Sequence, residues 1–109
     1  MEKNIKMNTK LEIYKKIIMP IIEKYVPEAK IILYGSRARG DNKEGADINI
    51  ALDLGKKIDS WLIYPLVLDL HDSNLPILFD IVDFAKVSED FKKNILQDGI
   101  IWKEAKLIE

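Results

Sequence analysis

From Lys10 to Val26 the residues Leu11, Tyr14, Ile18, Ile21, Ile22 and Tyr25 recur at three- and four-residue intervals, the stripe of an amphipathic helix. Thr9 followed three residues later by Glu12 reads as a capping box. Pro20 removes one interior hydrogen bond, so the expectation is a single kinked helix, ended by Pro27. The β-branched run Lys30 to Tyr34 is stopped by Gly35 and predicts a strand. Ser36 to Ala46 carries Gly40, Gly45, two acids and three bases, and predicts a loop with room for one helical turn. Asp47 to Leu54 then alternates strictly. Ile48, Ile50, Leu52 and Leu54 take one side, and Asp47, Asn49, Ala51 and Asp53 take the other. Lys57 to Leu70 predicts a second helix with Ile58, Leu62 and Leu66 on its apolar face, capped by Asp59 or Ser60 and weakened by Pro65. A third strand is expected over Ile77 to Phe84, after the Ser73-Asn74 turn. A third helix capped by Ser88 should run to about Leu96, with Gly99 just past its end, before a closing strand or turn at Ile100 to Trp102. The order α-β-loop-β-α-β-α specifies an α/β (α+β) fold, a small mixed sheet with flanking helices.

Composition narrows what such a fold can be doing. A length of 109 residues suits one domain spanning 1–109. A content of 48% apolar and 32% charged residues is that of a globular chain. The formal net charge of −1 argues against gripping nucleic acid by bulk electrostatics. Absence of cysteine excludes disulfides, Cys-based zinc sites and thiol catalysis. The longest apolar stretch, Trp61 to Leu68, has eight residues against the roughly 20 a membrane span needs. The first residues, Met-Glu-Lys-Asn-Ile-Lys, lack the apolar core of a signal peptide, and a cytoplasmic address is expected. Of 17 basic residues, 15 are Lys, and the two Arg, Arg37 and Arg39, both fall in the glycine-rich loop. That placement suits a site needing planar, forked donors.

The candidate chemistry lies between Leu33 and Asp53. A strand ending in Gly35 lets backbone N–H groups approach a ligand, Ser36 adds a hydroxyl, and Arg37 and Arg39 add donors suited to phosphate. Asp47 and Asn49, two residues apart on a strand, project oxygens from one face, a pattern that can hold Mg²⁺ against phosphate oxygens. Together these groups point to phosphoryl or nucleotidyl transfer. On residue grounds alone the same pattern also suits a solvated loop and strand face. No Walker lysine motif is present, and Gly35, Gly40 and Gly45 do not fit the dinucleotide fingerprint. Asp53 lies roughly 20 Å along the strand from Asp47 at ~3.3 Å per residue and reads as a solvated strand end. The single histidine, His71, has no His or Cys neighbours and reads as a surface or helix-end residue. Trp61 and Trp102 read as core or interface residues rather than a base-stacking platform.

Gly35-Ser36, ten residues, then Asp47-x-Asn49 resembles the Gly-Ser-x10-Asp-x-Asp signature of the DNA polymerase β-type nucleotidyltransferase superfamily. Tyr34-Gly-Ser-Arg-Ala-Arg-Gly40 is similar to its minimal nucleotidyltransferase (MNT) branch, Phe79 to Asp83 resembles that branch's third-carboxylate strand, and Ser88 to Gly99 its closing helix. The likeness runs from Lys30 onward. It implies that Gly35 and Ser36 hold the β- and γ-phosphates of ATP, with Arg37 and Arg39 near the phosphates or the acceptor. It further implies that Asp47, Asn49 and Asp80 occupy the ligand positions for two Mg²⁺ ions, Asp80 also serving as base for the attacking hydroxyl. Asp83 is the rival for that third position. Periodicity does not choose between them, and the family pattern favours Asp80. Asn49 departs from the pattern, since an amide offers one neutral oxygen where the family has a carboxylate. A unit charge lost at ~4 Å is worth about 1 kcal/mol in water and ~4 kcal/mol at an intermediate dielectric, so weaker metal binding and slower chemistry are expected. Natural degeneration and a substitution introduced to trap a complex both fit.

Because the chain stops soon after Trp102, the acceptor is expected on a partner. The resemblance implies a HEPN-type or four-helix-bundle protein, with AMP passed from ATP to a tyrosine of a HEPN toxin and the MNT protein as antitoxin. Trp61, Tyr64 and Trp102 are expected at the docking surface. Two alternatives remain: a catalytically impaired module that neutralises its partner by contact, and transfer to a small molecule such as an aminoglycoside, for which a homodimer would have to build the pocket.

Overall fold

The computed structural model describes residues 2–106, with side chains described over 10–106. The elements are α1 (Glu2–Tyr25), β1 (Lys30–Tyr34), α2 (Ser36–Arg39), β2 (Ile48–Asp53), α3 (Ser60–Asp72), β3 (Phe79–Asp83), a 3-10 turn (Phe84–Lys86), α4 (Glu89–Asp98) and β4 (Ile100–Lys103). The expected fold class holds: one four-stranded mixed sheet in the order β3-β2-β1-β4, flanked by helices. β1 pairs antiparallel with β2 and β4, while β2 and β3 run parallel across the α3 crossover.

Several boundaries moved. Helix α1 passes through Thr9 and begins at Glu2, so Thr9 is no cap; the preceding Glu, Lys and Met residues are good helix formers and extend the hydrogen-bonded run. Pro20 and Pro65 lie inside α1 and α3 without ending either, each deleting one backbone bond that flanking turns outweigh. Asp59 is the N-cap of α3 by position, but its side chain makes no cap bond; its carbonyl accepts from Leu62 and Ile63. Ser88 caps α4 as expected, its Oγ accepting the Phe91 N–H at 3.1 Å. Gly99 ends α4 for a packing reason rather than a left-handed turn. Its φ is −65°, and a side chain there would meet the Ile95 carbonyl and lie 2.7 Å from Ile32.

Strand alternation divides the core between two faces of the sheet. Ile31, Leu33, Ile48, Ile50 and Leu52 are fully buried against Ile18, Ile22 and Val26 of the α1 region and Ile58, Leu66 and Leu70 at α3. The opposite face carries a smaller cluster, Ile32, Tyr34, Ala51 and Ile95, with Val82, Phe84 and Val87 packed on it. That second face is only partly covered by the ten-residue α4, and the candidate site opens at its edge. No helix among the described residues is long and apolar enough to cross a membrane.

Candidate active site

Three strands carry one residue each into a single row. Tyr34 pairs with Asn49 across β1 and β2, and Asn49 pairs with Asp80 across β2 and β3. Paired residues on neighbouring strands share a face, so all three belong to the α4 side of the sheet. The Tyr34 hydroxyl crosses the row and donates to Asp80 Oδ2 at 3.3 Å. Its ring is 8% exposed and packs edge-on against Phe91 of α4, with centroids 5.7 Å apart at 73°. Burial, then the Asp80 charge and the hydrogen bond to it, push the Tyr34 hydroxyl up to about 12, so it is a donor at neutral pH.

The two candidates for the third carboxylate separate cleanly. Asp80 is exposed beside Asn49, whereas Asp83 pairs with Leu52 three positions further along β3. The odd step between them turns Asp83 to the opposite face. There its Oδ2 accepts the Ile58 N–H at 2.8 Å and its Oδ1 the Ala85 N–H at 3.0 Å, fastening the segment before α3 and capping the 3-10 turn. Asp47 is exposed and immediately precedes β2, one residue outside the strand expected to contain it. Pairing starts at the next residue, where the Ile48 N–H donates to the Leu78 carbonyl at 2.9 Å.

Gly35 and the four-residue helix α2 form the facing wall. Gly35 has φ 82° and ψ −156°, a conformation essentially reserved for glycine, and a Cβ there would stand 2.6 Å from Asn49 Nδ2. The glycine therefore serves two ends: it turns the chain into α2 and makes room for Asn49. Its carbonyl accepts from the Ala38 and Arg39 amides, both at 3.1 Å, so Ser36 and Arg37 begin the turn with the amides a helix leaves without intrahelical partners. The arginines divide their work. Arg37 Nε donates to the Ala46 carbonyl at 2.9 Å and fastens the end of the loop just ahead of Asp47. Arg39 meets Asp41 at 3.1 Å and Asp98 at 3.8 Å, linking the loop to the end of α4. Next to this wall is an open cavity of about 300 Å³ lined by Tyr34, Gly35, Arg39, Phe91, Asn94 and Asp98.

Sequence reasoning missed the α4 lining and the role of the Tyr34 hydroxyl. Phe91, Asn94 and Asp98 are spaced three and four apart, a signal that they share a helix face, but nothing in that spacing places the face over Gly35. Among the described residues no three His, Cys, Asp or Glu gather as a metal group. The oxygen donors at the site are two carboxylates, Asp47 and Asp80, and the Asn49 amide. That set is of the kind that suits Mg²⁺ sharing its shell with phosphate oxygens and water, with a neutral amide at the position where the family pattern has a carboxylate.

The other residues singled out stand apart. Asp53 pairs with Lys30 at the far end of β2, and its Oδ1 accepts the Gly55 N–H at 2.9 Å. His71 is exposed in the last turn of α3. Trp61, Tyr64 and Leu68 are 69%, 72% and 63% exposed and fall at a helical spacing on α3. Trp102 is half-buried against the larger core cluster, with Lys15 Nζ 5.7 Å from its ring centroid.

Comparison with known proteins agrees with this architecture. The profile described as polymerase beta, nucleotidyltransferase matches residues 3–106. A curated Haemophilus influenzae protein named "Probable protein adenylyltransferase MntA" is 28% identical over 88 residues, covering 81% of this chain and 77% of its own. Among solved structures, a chain of a toxin-antitoxin crystal structure with AMP-PNP superposes with a TM-score of 0.70 at 22% identity, covering 84% of this chain and 74% of its own. A chain of the complex of tri-AMPylated Shewanella oneidensis HEPN toxin with MNT antitoxin superposes with a TM-score of 0.67 at 20% identity, covering 86% and 72%.

Proposed function

Because the chain belongs to the polymerase beta nucleotidyltransferase family, we propose that it transfers AMP from ATP to a hydroxyl, that of a tyrosine on a HEPN-type helical toxin, and so acts as an antitoxin. The observation that carries the reading is the row in which Asn49 and Asp80 stand side by side, with Gly35 and Ser36 at the adjoining turn. The names of the similar proteins, an adenylyltransferase and a complex of MNT antitoxin with AMPylated HEPN toxin, support the choice of AMP and of acceptor.

In this mechanism the amides opening α2 and the Ser36 hydroxyl bind the β- and γ-phosphates, with Arg39 alongside. Asp47, Asn49 and Asp80 would hold one Mg²⁺, which when bound neutralises charge building on the phosphate oxygens. Asp80 takes the proton of the acceptor hydroxyl as the new O–P bond forms at the α-phosphorus; the α–β bridging bond breaks and pyrophosphate leaves with its electron pair. Arg37 contributes by holding the loop that presents Asp47. The neutral Asn49 leaves the row one charge short of the family pattern and slows the step. Residues 1–109 act in this reading as one domain working in the cytoplasm, where ATP is supplied.

A second reading is favoured by Asn49 itself: a module that neutralises its partner by contact alone. Co-expression with the helical partner, followed by intact-mass measurement, distinguishes the two. A +AMP adduct on the partner that disappears with Asp80→Asn is the expected result. A stable complex with no adduct, from both the wild-type chain and Asn49→Asp, would leave only the contact reading.

A further inference from the structure

We propose that Tyr34 is a positioning residue for Asp80, its hydroxyl setting the direction in which the carboxylate faces the reaction. The inference rests on the reading of Asp80 as metal ligand and base, and adds the group that orients it. The geometry is a matter of reach. Adjacent strands lie about 4.8 Å apart, so a residue on β1 must span roughly 10 Å to touch one on β3. Tyr34 does so past Asn49 and donates to Asp80 Oδ2 at 3.3 Å. The ring has little freedom to move away. It is 8% exposed, shares a buried cluster with Ile32, Ala51 and Ile95, and meets Phe91 edge-on.

Asp80 is the opposite case, an exposed side chain near a strand start, free to sample rotamers unless something holds it. A donor on a rigid ring that engages one oxygen leaves the other for cation or acceptor hydroxyl. Hydrogen-bonded partners of metal-binding carboxylates act in this way, and removing one commonly weakens metal binding or activity 10- to 100-fold. The neutral Asn49 between the two raises the stakes, because Asp80 is then the only carboxylate in the row. The chain Phe91–Tyr34–Asp80 also connects the wall of the α4 cavity to the reacting centre.

The test is Tyr34→Phe, which deletes the hydroxyl and keeps the ring. Mn²⁺ serves as probe, titrated into the chain with saturating AMP-PNP and followed by electron paramagnetic resonance, with Asp80→Asn in parallel. The expected result is a roughly tenfold weaker Mn²⁺ half-saturation in Tyr34→Phe, at the low end of the usual range, in a variant that still unfolds in one cooperative transition. AMP transfer should lose kcat by a similar factor at nearly constant KM for ATP. Wild-type Mn²⁺ binding in Tyr34→Phe, alongside its loss in Asp80→Asn, overturns the positioning role and leaves the metal reading standing. Unaltered binding in Asp80→Asn overturns both. If Tyr34→Phe does not fold, Phe91→Leu decides, since it keeps the hydroxyl but frees the ring: weaker Mn²⁺ binding supports the proposal and unchanged binding overturns it.

Discussion

Replacing Gly35 by alanine perturbs the site at its tightest point, and the structure separates two costs. The first is conformational. With φ 82° and ψ −156°, residue 35 occupies a region open essentially to glycine alone, and an alanine held there costs about 1–3 kcal/mol. The second is steric. The new Cβ would lie 2.6 Å from Asn49 Nδ2, well inside ordinary contact distance, but its neighbour is the end of a side chain rather than backbone. Asn49 can rotate away, which limits the stability cost to about 0.5–1 kcal/mol, the price of an off-rotamer side chain, while moving the amide out of the row. Gly35→Ala should therefore lose about 2–3 kcal/mol in urea unfolding, lowering the melting temperature by roughly 10 °C for a domain of this size. A double-mutant cycle with Asn49→Ala isolates the steric part. In that background the cost of Gly35→Ala should fall by about 0.5–1 kcal/mol and leave the conformational remainder. Wild-type stability in Gly35→Ala would refute the strain argument, and an identical cost in both backgrounds would refute the contact with Asn49.

The two aspartates of β3 should behave oppositely. Asp83→Ala, stranding the Ile58 and Ala85 amides, should cost about 2 kcal/mol of stability by urea unfolding while leaving divalent-cation binding intact; Asp80→Ala should do the reverse. Asn49→Asp restores the missing charge and should tighten Mg²⁺ binding and speed AMP transfer by about tenfold or more, measured by calorimetry and intact mass with the partner present. The Tyr34 hydroxyl is pushed up to about 12 from its ordinary 10, so folding favours its protonated form. Its contribution is complete below pH 10 and lost as pH rises toward 12, and urea midpoints measured across that window should fall less steeply in Tyr34→Phe.

Local pattern along the chain was enough to determine the elements and their inward faces. The alternation from Asp47 to Leu54, the β-branched run Lys30 to Tyr34 and the Ser88 cap each depend on neighbours within a few residues, and each element is found where the pattern put it, the second strand shorter by one residue at either end. The Gly35-Ser36 spacing to Asp47 and Asn49 was equally legible, because a turn and the strand after it are local features. Whether Asp80 or Asp83 joins them was not, since alternation within β3 says only that the two face opposite ways. The parallel pairing of β2 with β3 sets Asp80, and not Asp83, beside Asn49. The second reason for Gly35, the reach of Tyr34 across two strands and the placing of Phe91, Asn94 and Asp98 over the turn likewise arose only in the assembled sheet. These contacts join segments up to about 60 residues apart, and no spacing rule carries that far: register and helix docking are set by how the two apolar faces pack, a property of the whole chain at once.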